Sequence, residues 1–190
     1  MKPILVVLLS LFLLVPAESH DLMDNRATLV LRDRIHISMT LYIVYSDALH
    51  AALSPLGPMS SFLVSLSTMK PDQLQRELQR AQSKFQAGMH IYLPAKRGLP
   101  PTELTLTNWI WPDTKQVQNT LQTRVMQAVV DPDAHEAPLE IRVDAVAPLP
   151  VEISSVTVHF PEEFRKVLVV SYRPSQTWVD PKAPSPEIKF

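Results

Sequence analysis

The residues of this chain best placed for chemistry stand where an export signal would be cut. Val15-Pro16-Ala17 and Ala17-Glu18-Ser19 both satisfy a small-x-small cleavage rule. Cutting before His20 leaves an amine and an imidazole on one residue, a bidentate chelate that a second His completes. Cutting before Glu18 leaves Glu18-Ser19-His20, whose amine, two amides and imidazole surround copper or nickel in the square plane of nitrogens that those ions prefer. Further ligands would come from His36, His50, His90, His135 or His159. His135 belongs to Asp131-Pro132-Asp133-Ala134-His135-Glu136, the densest cluster of oxygen and nitrogen donors in the chain. That cluster lacks the Gly and the distal Glu of a calcium loop, and an Asp/Pro connection between a helix and a strand needs no ligand to explain it.

Two tryptophans are candidates for a binding surface. In Thr105-Leu106-Thr107-Asn108-Trp109-Ile110-Trp111 the alternation puts Trp109 and Trp111 on one face, with Leu104, Leu106 and Ile110 on the other. Exposed, the pair is a stacking platform for a sugar ring or an apolar peptide; packed under a helix, it is core. Ser67-Thr68-Met69-Lys70 matches the Ser-x-x-Lys of penicillin-binding proteins, but the two companion elements of that chemistry are missing and Pro71 disfavours a helix through it. No Gly-x-Ser-x-Gly or His-Glu-x-x-His is present. An envelope hydrolase would need a triad assembled in space.

Composition removes whole classes of function. The 190 residues carry a net charge of −1, which gives no electrostatic case for nucleic acid. With no Cys there is no disulfide, zinc-thiolate or thiol nucleophile, and three Gly cannot build a P-loop or a dinucleotide fingerprint. At 46% apolar and 19% charged, the chain has enough apolar surface for a core.

Residues 1–19 fit a cleavable signal peptide. Lys2 is followed by the twelve apolar-rich residues Ile4–Val15, then Pro16 and small residues, and twelve is short of the roughly 20 a bilayer needs. A periplasmic or secreted protein is expected, with a single domain over 20–173 and a Pro-rich extended tail over 174–190.

Within the domain, period-two alternation over 27–31 and 35–45 predicts a hairpin about Asp33-Arg34. Ser46 and Asp47 suit the cap of a short helix that Pro55–Pro58 interrupts. Pro71 with Leu74, Leu78, Ala81 and Phe85 predicts an amphipathic helix ended by Gly88. Strands follow at 89–94 and 102–111. Asp113 caps a second amphipathic helix through Val117, Leu121, Val125 and Ala128. The C-terminal third returns to strands: 139–145, then 151–160 with a bend at Ser154-Ser155, then 167–172. The last is apolar on nearly both faces and is expected at the centre of a sheet. The sum is an α+β domain, a mostly antiparallel sheet or small β-sandwich with two or three helices inserted mid-chain.

His20-Asp21-Leu22, followed by Ala27-Thr28-Leu29-Val30-Leu31 and a long second strand, resembles the extracytoplasmic N-terminal domain of bacterial HupE/UreJ-type membrane proteins, and also small exported proteobacterial proteins. The resemblance covers residues 18–55. It implies an exported relative linked to metal handling or to a membrane partner; no membrane bundle follows here, so transport itself is not implied. The leading expectation is an exported non-catalytic binding or accessory protein with a protein or membrane-protein partner. A copper- or nickel-binding protein using His20 is second, and a hydrolase third.

Overall fold

Alternating residues build the first hairpin. β1 (Arg26–Leu31) and β2 (His36–Ile43) pair antiparallel, with Thr28 opposite Thr40 and Leu29 opposite Met39. The turn needs no Gly because Asp33 Oδ1 accepts the Ile35 N–H at 2.8 Å, an Asx turn that bends the backbone locally. The structure is a computed structural model describing residues 25–95, 100–131, 135–148 and 153–174. The signal-like segment, His20, the 132–134 stretch and the tail from 175 lie outside the described residues.

Four α-helices and eight strands are present among the described residues, an α+β fold. After the hairpin come α1 (Tyr45–Leu53), α2 (Met59–Ser67) and α3 (Pro71–Gly88), then β3 (His90–Leu93), β4 (Thr102–Glu103) and β5 (Thr105–Ile110). α4 (Thr114–Val130), β6 (Leu139–Val146), β7 (Thr157–His159), a 3₁₀ turn (Glu162–Phe164) and β8 (Leu168–Tyr172) complete the order. The strands form a five-stranded sheet, β5-β6-β2-β1-β8, and a three-stranded sheet, β4-β3-β7. All pairings are antiparallel except β1–β8. No helix among the described residues is long and apolar enough to cross a membrane.

The helix stripe predicted on α3 is the one buried: Leu74, Leu78, Ala81 and Phe85 are its core residues. They join Leu29, Met39, Leu41, Ile141 and Val143 from the large sheet in one apolar cluster. Each such large side chain contributes about 1.5–3 kcal/mol by leaving water. Asp113 caps α4 as expected, accepting the Gln116 N–H at 2.7 Å. Val117 and Leu121 are buried, whereas the far end of that stripe is not, and Ala128 is exposed.

Several expectations are corrected. Two or three helices were expected, and α2 is the extra one; its polar positions are Ser, a weak helix former, so no charged face marks it. Ser46 and Asp47 do not cap α1, whose N-cap is Val44 with no side-chain bond. Of the strand expected over 151–160, residues 151–152 lie outside the described residues and the rest narrows to β7, because Ile153 turns into the core and Ser154-Ser155 bend outward. The strand expected over 102–111 divides at Leu104, where the chain leaves the small sheet for the large one. Its N–H bonds to Ile91 C=O at 2.8 Å, and its side chain is buried. β8 is not central: it is the edge of the large sheet, exposed along its whole length.

Candidate functional site

Trp109 and Trp111 do share a face, but not the one opposite Leu104 and Leu106. The register of β5 on β6 shifts between Thr107 and Ile110, and Asn108 adopts φ 53°. Asn tolerates that left-handed backbone, so the bulge sits there and resets the alternation. Trp109 and Trp111 are thereby turned inward with Leu104 and Leu106, while Ile110 is left 58% exposed. The two indoles lie parallel, 3° apart in plane with centroids at 5.0 Å. Trp111 also meets Phe85 at 6.3 Å, and Phe85 meets Phe164 at 5.0 Å and Tyr45 at 6.3 Å. A line of rings therefore runs from the deepest core out to Trp109.

Trp109 ends that line at a cleft of about 600 Å³ between the two sheets, whose walls include Gln86, His90, Glu103, Leu104 and Leu106. The switch at Leu104 explains why. It leaves Glu103 on the small sheet and Trp109 on the large one, and brings both to the same opening. His90 Nδ1 is 2.5 Å from Glu103 Oε1. A proton on Nδ1 satisfies that contact and leaves Nε2 available to a ligand. Outside the cleft, the Tyr92 ring lies 6.0 Å from His90 and 5.6 Å from His159. His90 and His159 are direct register partners on β3 and β7.

The remaining histidines are placed as follows. His50 is structural, its Nε2 2.8 Å from Gly57 C=O and its ring against Phe62. His135 is exposed in the connection before β6, and His20 lies outside the described residues. Among the described residues no group of three or more His, Asp or Glu is arranged to hold a metal ion.

Of the Asp131–Glu136 cluster, Glu136 turns inward. Only 8% exposed, it accepts the Ser46 N–H through Oε1 at 3.1 Å, supplying from a distance the cap α1 lacks. Among the described residues Oε2 has no partner, and burial holds this carboxyl above the ordinary Glu range, with the nearby Asp47 charge adding to the rise.

A second polar surface covers the outer face of the large sheet. Asp144 gathers Ser38 Oγ at 2.9 Å and Asn108 Nδ2 at 3.1 Å. His36 Nε2 lies 3.3 Å from the same carboxylate, close enough for charge attraction but outside hydrogen-bond geometry. The Asn108 bond first, then the Ser38 bond and the nearby His36 ring, hold Asp144 below the usual carboxylate range. Ser, His and Asp thus meet, but the Ser38 hydroxyl donates to the Asp144 carboxylate and not to the His36 ring, unlike the order of a Ser–His–Asp relay. Ser67 of the Ser-x-x-Lys match is buried at the end of α2, donating to Val64 C=O, with Lys70 beyond the helix break.

No family model, curated protein or solved structure matches this chain. The geometry alone carries the functional reading. The sequence marks Trp109 as a candidate binding residue and His90 only as a candidate metal donor, and does not mark Glu103. The signal was the short spacing from Glu103 to Trp109 across a buried Leu104.

Proposed function

We propose that this chain is an exported, non-catalytic binding protein whose inter-sheet cleft takes a sugar ring of an envelope glycan. The observation that supports this is the convergence of Trp109 from one sheet with His90 and Glu103 from the other on a single opening. An indole gives a sugar its apolar stacking partner, while an imidazole, a carboxylate and the Gln86 amide supply donors and acceptors for hydroxyls. The middle position of Asp144 between Ser38 and His36 favours binding over hydrolysis. Export rests on the signal-like residues 1–19.

Fluorescence titration with chito-oligosaccharides and muropeptides tests the reading, in a Trp178→Phe background that removes the third indole. Saturable change is expected, lost in Trp109→Ala and weakened about tenfold in Glu103→Gln. Emission that stays constant with every glycan overturns the proposal.

A further inference from the structure

The cleft between the sheets favours one sign of charge. Among the described residues Glu103 is the carboxylate that lines it, and no Lys or Arg lines it. A neutral His90 with its proton on Nδ1 satisfies Glu103 Oε1 without cancelling the charge. The Glu103 side chain is 52% exposed, and the His90 contact takes one of the about four acceptor positions of a carboxylate. The rest stay open to a ligand.

The other walls have the same polarity. α3 ends at this opening, with Gln86 of its last turn and its cap Met89 both lining the cleft. The C-terminus of a helix carries roughly half a negative charge on its carbonyls. Basic residues in the last turn commonly offset that charge, and α3 has none there. Lys84, just before that turn, is engaged with α1, where it donates to Ala52 C=O. Trp109 completes the set. One face of its indole is covered by Trp111, parallel at 5.0 Å, which leaves the other face for the cleft. The face of an aromatic ring is the negative side of its quadrupole, and Trp attracts cations most strongly.

We infer that the sugar this cleft selects is cationic: an amino sugar whose ring lies on Trp109 while its free ammonium is held by Glu103 and the C-terminus of α3. The inference rests on the glycan reading above and adds the sign of the ligand's charge to it. A carboxylate, helix carbonyls and an indole face, brought from three elements to one opening, all reward a positive group. An N-acetylated ring keeps the stacking and offers no charge. An acidic sugar meets repulsion from Glu103.

The test compares oligosaccharides of glucosamine and of N-acetylglucosamine, matched in length, by fluorescence titration in the Trp178→Phe background. Neutral buffer is used, where a free amine is largely charged and an imidazole largely neutral. The glucosamine oligomer is expected to bind about five- to tenfold more tightly. Glu103→Gln removes the charge and keeps a polar group in its place. His90→Arg keeps Glu103 and sets a fixed positive charge beside it. Each variant is expected to bring the two oligomers within about twofold of one another. Circular dichroism checks that each variant folds, and either folded variant decides. Equal affinity in the wild type, tighter binding of the acetylated oligomer, or an unchanged preference in a folded variant overturns the inference and leaves the glycan reading standing. Failure of both oligomers to bind overturns that reading and the inference with it.

Discussion

Glu136 caps a helix from 90 residues away, and its titration should be visible in stability. Burial raises its pKa, so the folded protein keeps this proton where the unfolded chain releases it. Stability from this group therefore falls as pH rises from the ordinary Glu value of about 4.3 to the raised folded value, and is level above it. Asp47 adds to the rise and Arg124 opposes it. Glu136→Gln keeps an acceptor for the Ser46 N–H but never ionises. Its melting temperature should match wild type near about pH 4 and exceed it in neutral buffer. Glu136→Ala, which removes the acceptor as well, should fall about 1–2 kcal/mol below the Gln variant in urea titrations. At the same scale, Asn108 holds the bulge that turns Trp109 inward. Asn108→Gly should retain the fold, while Asn108→Val should cost about 1–2 kcal/mol more, because a β-branched side chain resists φ 53°. These two residues also show where residue-level reading stops. Asp113 was legible as a cap because its partner is three residues away, whereas nothing near Ser46 announces Glu136. Asn108 was visible, but one residue that changes the phase of a strand is hidden inside an otherwise regular alternation.

At the scale of elements, legibility followed how strictly each pattern was tied to one buried face. α3 was readable to its ends, since its four core residues keep one stripe on an otherwise polar helix. β8 was misplaced, because a run apolar on both sides has the same sequence whether neighbours or solvent cover it. Gly88, predicted to end the helix, is the last residue of α3, with Met89 as the cap. Its reason is contact: a Cβ there would stand 3.1 Å from Pro161 Cα and 3.2 Å from Pro161 Cβ. Pro161 is buried and opens the 3₁₀ turn that carries Phe164 into the core, so it has little room to yield. Helix propensity alone favours Gly88→Ala by about 0.5–1 kcal/mol. Crowding against the Pro161 backbone should outweigh it, giving a net loss of about 1–2 kcal/mol by urea denaturation. A gain in stability would mean that the β7 end moves freely relative to α3.

At the scale of the molecule, the ring line joins α1, α3, the 3₁₀ turn before β8 and the end of β5 at one point. Phe85 of α3 touches Tyr45 of α1, Phe164 before β8 and Trp111 after β5, and Trp111 carries Trp109. No element in this set can leave without opening the same cluster, so unfolding should be a single cooperative event. The parallel indoles provide an internal reporter. Two rings stacked at 5.0 Å couple their transitions, and the resulting exciton signal in circular dichroism depends on both. It should disappear in step with the helical signal on heating, and Trp111→Phe should abolish it while retaining a ring against Phe85. An exciton signal that melts well below the helices would mean that β5 and the cleft separate from the core as a unit of their own. The cleft would then be a late-forming, adaptable wall, and Trp109 would be ordered by its ligand rather than by Phe85. Coincident loss instead makes the site preorganised: the core sets the indole before any ring stacks on it, and binding incurs little ordering entropy.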